Sequence, residues 1–425
     1  MSDDRLRLTS EFALVALGEI AHVEMGQSPD STYVVEDPFV GKPFLQGNAE
    51  FGAVFPAPRY GCLRPAKVCK ADDVLISVRA PVGATNIADR DYCIGRGLAA
   101  IRVREVKPSM AAEIIARQSP SLRRVAQGTT FEAINKSDLL SLQLALPPSN
   151  ELRQIASILD TLDTAIRETE AIIAKLKTVK QGLLHDLLTR GIDANGELRP
   201  PQAEAQHLYK DSSMGWMPKE WGQASARDLC SVITKGTTPA TAKMWQGGGG
   251  IRFLRVDNLT FDGQFDFRAS NFYVSPRTHR GELARSVCRP GDVLTNIVGP
   301  PLGKLGQVDL EAGEVNINQA IALFRPRGSI LSSFLLLWLG SSLAQIWLRR
   351  RAKQTSGQVN LTLALCQELP TPEVSIEEQR SIVSRAASVD ERLSFESSMA
   401  WKLARAKSGL MDDLLTGRVR VTPLL

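Results

Sequence analysis

The side chains that could do chemistry in this sequence fall into two groups, and the first does not assemble into an enzyme. Gly299-Pro300-Pro301-Leu302-Gly303-Lys304 has the wrong spacing for a phosphate-binding loop and no hydroxyl residue after the lysine. Gly247-Gly248-Gly249-Gly250 is followed by Arg252 where a dinucleotide fingerprint needs its last glycine, so it reads as a flexible loop tip. His22, His185, His207 and His279 are scattered, with no partner at zinc-ligand spacing. Asp37-Pro38-Phe39 has one proline where an amino-methyltransferase motif has two. Asp30, Glu105 and Lys107 make a nuclease-like triple of a kind that a long chain offers by chance. The chain is expected to be non-catalytic, with no metal site.

The second group has the chemistry of nucleic-acid reading. Arg, Lys, Asn and Gln carry donors and acceptors matched to base edges, while hydroxyls, Lys and Arg grip phosphates. Loop residues of this kind in the first half are Gln27, Ser28, Gln46, Asn48, Arg79, Arg96 and Lys136. In the second half they are Lys235, Thr237, Thr238, Arg255, Asn258, Asn296, Lys353, Gln354, Ser356 and Gln358, with Arg349, Arg350 and Arg351 as phosphate candidates. Each also suits a solvated loop, a turn or, for the arginine run, a helix end. Charge points the same way only in the second half. The whole chain carries 51 basic and 46 acidic residues, and residues 222–370 hold 17 and 10 of them. A net +7 suits a polyanion binder; residues 1–147, with 17 of each, are not distinguished by charge.

The elements that must position these loops come in two copies. Met25-Gly26-Gln27-Ser28-Pro29 is echoed by Lys235-Gly236-Thr237-Thr238-Pro239, and Phe44-Leu45-Gln46-Gly47-Asn48 by Phe253 to Asn258. Gly182-Leu183-Leu184-His185-Asp186-Leu187-Leu188-Thr189 returns 227 residues later as Gly409 to Thr416. Ahead of each ending lies a 3.5-residue apolar period. It runs through Ile155, Leu159, Leu162, Ile166, Thr169, Ile173, Leu176, Lys180, Leu183 and Leu187. The second copy runs through Ile382, Ala386, Val389, Leu393, Glu396, Ala400, Leu403, Lys407, Leu410 and Leu414. Such a period over four heptads predicts helices packed side by side. The matched polar breaks, Thr169 with Glu396 and Lys180 with Lys407, favour the two helices pairing with each other over each packing on its own domain. Ser375 and Glu378 read as a capping box for the second helix. The repeated mid-helix Gly182 and Gly409 predict close approach of another backbone.

Strand-like runs (Val74 to Val78, Leu98 to Val103, Ile251 to Arg255, Asn316 to Phe324) between Gly/Pro turns give an α+β reading. The expected organisation is a globular domain over 1–147, a helix over 148–192, a Pro/Gly-rich linker over 193–221, a second globular domain over 222–370 and a second helix over 371–425. Cys62, Cys69, Cys93, Cys230, Cys288 and Cys366 form no C-x-x-C pair, and the N-terminus lacks an apolar leader, so a cytoplasmic chain with reduced thiols is expected. Ile330 to Leu348 is free of charge but interrupted by serines, Gly340 and Gln345, and is read as a buried helix rather than a membrane span.

Taken in order, these motifs resemble the specificity (S) subunit of type I restriction–modification systems. The resemblance rests on Gly26-Gln27-Ser28-Pro29, Phe44-Leu45-Gln46-Gly47, Val74 to Gly83, Ile94 to Ile101 and Val315 to Leu323, and on the matched helix endings, and it covers essentially the whole chain. It implies two target-recognition domains held apart by two long helices that pair antiparallel as a coiled coil with a pseudo-twofold repeat. Each domain would read half of a split site in double-stranded DNA. It also implies two modification subunits that bring S-adenosylmethionine and methylate adenine, and restriction subunits that bring ATP and Mg; this chain would hold no cofactor. The copies diverge where Asn296-Ile297-Val298-Gly299-Pro300-Pro301 replaces Ser77-Val78-Arg79-Ala80-Pro81-Val82, so the halves should read different bases. A coiled-coil scaffold without DNA readout is the competing expectation.

Overall fold

The computed structural model describes residues 12–52, 54–104, 106–126, 133–299, 301–355 and 358–421. It divides into two compact units, Met1–Glu170 with Ser398–Leu425, and Ala171–Ser397. In the first, Ala21–Met25, Leu98–Val103, Val74–Ser77 and Thr85–Ile87 form an antiparallel four-stranded sheet in that order. The unbroken apolar run Val74-Leu75-Ile76 is buried on both faces, as such runs are in central strands. Val74 and Ile76 face the helices Pro108–Arg117 and Ser119–Ala126, while Leu75 faces a second sheet. That sheet has the order Val34–Val35, Tyr60–Cys62, Lys42–Leu45, Tyr92–Ile94, Val68–Cys69, with Lys42–Leu45 and Tyr92–Ile94 parallel.

The second unit repeats this plan strand for strand. Its four-stranded sheet is Cys230–Lys235, Ile321–Pro326, Val293–Asn296 and Leu305–Gln307; its five-stranded sheet is Met244–Gln246, Phe272–Val274, Ile251–Leu254, Val315–Ile317 and Val287–Cys288. Each four-stranded sheet carries the same buried carboxylate gripped by two arginine nitrogens: Asp73 by Arg102 at 2.7 and 2.9 Å, and Asp292 by Arg325 at 2.8 and 2.7 Å. The fold is therefore α+β. One expected strand, Asn316 to Phe324, is two: Val315–Ile317 and Ile321–Pro326 belong to different sheets, separated by the turn that Ile321 N closes on Asn318 O. Ile330 to Leu348 likewise is not one helix. Ser332–Gly340 ends where the Ser341 hydroxyl accepts from Ala344 N and starts Ser342–Arg351. No helix among the described residues is long and apolar enough to cross a membrane.

Two long helices, Ser149–Thr189 and Ile376–Leu415, pack together. Along both, the seam positions from Ile155 to Leu187 and from Ile382 to Leu414 are buried or half-buried. The polar breaks are satisfied in matched ways. Thr169 donates its hydroxyl to Ala165 O and Glu396 pairs with Arg392, each inside its own helix. The lysines reach across instead: Lys407 bonds Asp163 at 2.6 Å in the first unit, and Lys180 bonds Asp390 in the second. Asp163 and Asp390 are 227 residues apart, as are Lys180 and Lys407, so the repeat in sequence is also a repeat of the crossing. A pair of early with late positions, made twice, defines an antiparallel register.

Both helix starts are fastened by a glutamate, buried at Glu151 and half-buried at Glu378. Glu151 receives two nitrogens of Arg420, which follows the second helix. Its counterpart Glu378 binds Arg199, which follows the first helix, at 2.6 Å, and also accepts from Ile192 N at 2.8 Å and Trp221 Nε1 at 3.1 Å. This corrects the capping-box reading. Glu378 N donates to Ser375 Oγ at 3.2 Å, but the carboxylate is drawn away to the buried arginine, where it is needed more. The glycine reading is also corrected: a Cβ at Gly182 or Gly409 would meet nothing of this chain within 4 Å. All six cysteines are free and buried, and burial pushes the thiols of Cys69, Cys93, Cys230 and Cys366 up to about 12.

Removing Glu378 leaves the Arg199 guanidinium, whose side chain is 7 % exposed, with only the largely exposed Glu220 carboxylate, 2.6 Å away, as its ion-pair partner. Glu378→Ala should cost about 3 kcal/mol in denaturant unfolding, because a buried charge loses its shielded partner and Ile192 N and Trp221 Nε1 lose their acceptor. Asp390→Ala, on a half-exposed carboxylate, should cost under about 1 kcal/mol. Equal small losses would show that Glu378 does not fasten the helix start.

Candidate nucleic-acid interface

Backbone hydrogen bonds, not side chains, gather the polar loops of the first unit. Gly26 N donates to Leu98 O, Gln27 N to Ile94 O, Gly95 N to Leu45 O, Val78 N to Gly97 O, and Ile134 N to Val78 O, all within 2.8–3.0 Å. Gln27, Ser28, Gln46, Asn48, Arg79, Arg96 and Lys136 therefore sit on loops of one cluster. Arg96 N donates to Ser28 Oγ at 3.4 Å within it. Gln27, Gln46, Arg79, Arg96 and Lys136 are exposed; Ser28 and Asn48 are half-buried. Glu24 lies beside the cluster. Its hydrogen bond from Lys67 holds its carboxyl below the ordinary range.

The same frame recurs in the second unit. Gly236 N donates to Ile321 O, Asn318 N to Leu254 O, Ile297 N to Ala320 O and Leu361 N to Ile297 O, at 2.8–3.1 Å. Counting along these bonds aligns the copies residue by residue. Gln27 corresponds to Thr237, Ser28 to Thr238, Arg79 to Val298, Arg96 to Gln319 and Lys136 to Leu363. The frame is common to both units and the side chains are not. The glycine is forced at its tightest point: a Cβ would stand 2.1 Å from Gly95 O at Gly26 and 2.0 Å from Ile317 O at Gly236.

Lys235, Thr238 and Arg255 are exposed and Thr237 is half-buried. Two expected readers are corrected. Asn258 is buried, with its amide spent on Arg255 N, Asp266 O and Ser270 O. Asn296 is buried too: it donates to Val298 O and Pro301 O and accepts from Gly303 N and Lys304 N. Short amides suit such loop-holding, so neither is free to meet a base. Of the arginine run, Arg349 donates to Leu302 O at 3.1 Å and Arg351 lies 4.3 Å from the Trp347 ring centroid; all three are exposed. Lys353, Gln354 and Gln358 lie on the hairpin Lys353–Thr355 and Gln358–Asn360, which pairs with Val298–Gly299. Ser356 lies outside the described residues.

Sequence reasoning missed Gln319, bonded to the Thr238 hydroxyl, and Arg285, which donates to Thr237 Oγ1 at 2.8 Å. Aligning Val315 to Leu323 with the stretch around Arg96 would have found the first. The nuclease-like triple does not assemble: Asp30 accepts from Thr32 N, Lys107 pairs with Asp160, and Glu105 lies outside the described residues. No group of His, Cys, Asp and Glu among the described residues is placed to hold a metal ion.

With this geometry in place, the likeness to known proteins becomes informative. Residues 9–178 match the family model of the type I restriction modification DNA specificity domain. The protein designated MjaX specificity subunit of a type I restriction enzyme, from Methanocaldococcus jannaschii, is 37 % identical over 187 residues, 43 % of this chain and 44 % of that one. The alignment thus spans less than half of that relative. The MjaVIII specificity subunit of the same organism is 22 % identical over 311 residues, 71 % of this chain and 68 % of its own. The fold is shared with the crystal structure of a type I restriction–modification S subunit from M. genitalium, at a TM-score of 0.52, 15 % identity and 97 % coverage of both chains.

Gly26→Ala and Gly236→Ala should each destabilise their own unit, by about 1–3 kcal/mol, because a backbone oxygen must move. Gly47→Ala, with nothing within 4 Å, should be near neutral. Thermal unfolding of the three variants checks this; an indifferent Gly236→Ala would count against the frame.

Proposed function

We propose that this chain is a specificity (S) subunit of a type I restriction–modification system, the non-catalytic DNA-recognition component of its complex. Each of its two α+β domains, read here as residues 1–147 and 222–370, contacts one half of an asymmetric bipartite site. The observation that carries this reading is the backbone frame made twice with different side chains. A symmetric dimer would read a palindrome; a fused pair with Arg96 in one copy and Gln319 in the other reads unlike half-sites. Gln27, Ser28, Gln46, Asn48, Arg79, Arg96 and Lys136 serve the first half-site. Lys235, Thr237, Thr238, Arg255, Gln319 and the hairpin residues Lys353, Gln354 and Gln358 serve the second, with Arg349, Arg350 and Arg351 toward phosphate.

The helix pair sets the spacing. From Ile155 to Leu187 the seam runs 33 residues, or about 50 Å. That is roughly 15 base pairs, or about one and a half DNA turns, as the reach within which the half-sites lie. The helices also dock the two modification subunits. Ile172, Lys175, Val179 and Gly182 repeat at the same spacing as Met399, Lys402, Ala406 and Gly409 on an exposed flank of each helix. Two exposed stripes of steps three, four and three, each ending at an open glycine, suit one further helix apiece. S-adenosylmethionine acts on the modification subunits, ATP and Mg on the restriction subunits, and the assembly works in the cytoplasm.

The decisive measurement is a map of methylated adenines in DNA exposed to the complex of this chain with its modification subunits. A split motif with unread bases between two unlike halves is expected, and binding that weakens steeply with salt. A continuous footprint, or no band shift even at low salt, would leave only the scaffold reading. The purified chain alone should transfer no methyl group.

Docking has its own test. Ile172→Glu with Met399→Glu should reduce the number of modification subunits bound, read by native mass spectrometry, while the melting temperature of the chain stays put. Leu162→Asp with Leu393→Asp should instead lose helix pairing and shift or abolish the spacer. An unchanged spacer would remove the ruler from the proposal.

A further inference from the structure

The two units part company on one face of their five-stranded sheets. In the second unit Trp245 and Arg252 are both register partners of Tyr273, so the three side chains form a row across three strands. Strand alternation puts this row on the face opposite Ile251, Phe253 and Val274, which pack against Leu283. The Arg252 guanidinium lies 3.9 Å from the Phe267 ring centroid and 5.5 Å from that of Tyr273. Trp245 and Phe267 are each more than one-third exposed, so the row opens to solvent. Among the described residues no carboxylate comes within ion-pair distance of Arg252. The corresponding row in the first unit is Val35, Gly61 and Pro43, beside a cleft of about 420 Å³ lined by four prolines, Phe39, Tyr92 and Arg90, an arginine whose guanidinium, unlike that of Arg252, is paired with a carboxylate, Asp89 at 2.9 Å.

An arginine stacked on aromatic rings is held flat while its N–H edges stay open. Little freedom remains to be lost when those edges meet an acceptor. With no acidic neighbour to occupy them, the edges are poised for an outside acceptor with two adjacent oxygen or nitrogen atoms. In a DNA groove the commonest such contact is the O6 and N7 edge of guanine.

We propose that Arg252 is a specificity-determining residue of the second half-site, donating to the O6 and N7 of one guanine, and that the first half-site has no counterpart of this contact. The inference rests on the DNA-reading assignment above. It adds to the loop differences a second one on the sheet face, since the Pro43 side chain offers no donor where the Arg252 guanidinium offers two.

The test maps methylated adenines in a randomised DNA library for the assembled complex, with Arg252→Ala, Arg252→Lys and Arg252→Gln beside the unmodified chain. Arg252→Ala should relax one G·C position in the second half-site by about tenfold or more and leave the first half untouched. Lysine should not restore it, because it lacks the planar fork. Arg252→Gln keeps a planar polar end and should turn that position from guanine toward adenine, a gain that a misfolded variant cannot mimic. Two results overturn the proposal: a motif identical for all variants, or uniformly weaker methylation with a shallower salt dependence, the mark of a phosphate contact. If the unmodified chain gives no split motif, the parent reading fails, and this one with it.

Discussion

A lysine in the middle of an apolar seam is tolerated only if it finds a carboxylate across that seam, and here two lysines do so in mirrored positions. Neither bond contributes much free energy, being partly exposed. Their value is in what they forbid. Sliding one helix by a heptad would keep the apolar period in step but would part Lys180 from Asp390 and Lys407 from Asp163. Polar seam positions fix register in this way at some cost in stability. The register in turn decides which helix end meets which neighbour, and so where Glu151 and Glu378 are delivered to Arg420 and Arg199.

Those two glutamates join the helices to the globular parts more firmly than the seam alone could. Leu187, Leu188, Ile382 and Ala386 belong to the core of the second unit; Ile155, Leu159, Met411, Leu414 and Leu415 belong to that of the first. Each core is closed by the start of one helix and the end of the other. The two sequence expectations, helices paired with each other or helices packed on their own domains, are therefore not exclusive: the seams do the first and the helix starts the second, while the last turns, Leu187-Leu188 and Leu414-Leu415, enter the other core.

What was legible in the sequence follows from what leaves a periodic or repeated trace. The helix seam and its polar breaks were visible because identical constraints were written twice at an offset of 227. The four-stranded sheets were visible as apolar runs. The turn inside Asn316 to Phe324 was not, because Asn318-Gln319-Ala320 carries no glycine or proline to mark it. Asn258 and Asn296 looked like base readers because residue type alone does not distinguish an amide spent on loop carbonyls from one left free. Glu378 carried a capping-box signature, yet a buried arginine twelve residues beyond the end of the first seam, Arg199, competes better for its carboxylate than a local N–H does. Arg252 went unmarked because its importance lies in cross-strand neighbours, Tyr273 and Trp245, and in a loop residue, Phe267, that only folding assembles.

The frame of backbone bonds around Gly26 and Gly236 separates folding from reading. Because main-chain atoms hold the loops together, exchanging Gln27 for Thr237 or Arg96 for Gln319 leaves the scaffold intact. Discrimination between base pairs is a difference of small energies, about 1–3 kcal/mol per good contact, and a protein only 5–15 kcal/mol stable could not exchange readers freely if those readers also held its core. On the proposed reading, readers placed on loops and on a sheet face outside the core, apart from the buried Asp73 and Asp292 carboxylates that Arg102 and Arg325 hold, let each half change its target without unfolding. The cost appears at Gly26 and Gly236, where a single methyl group strikes a carbonyl oxygen and the backbone itself must shift.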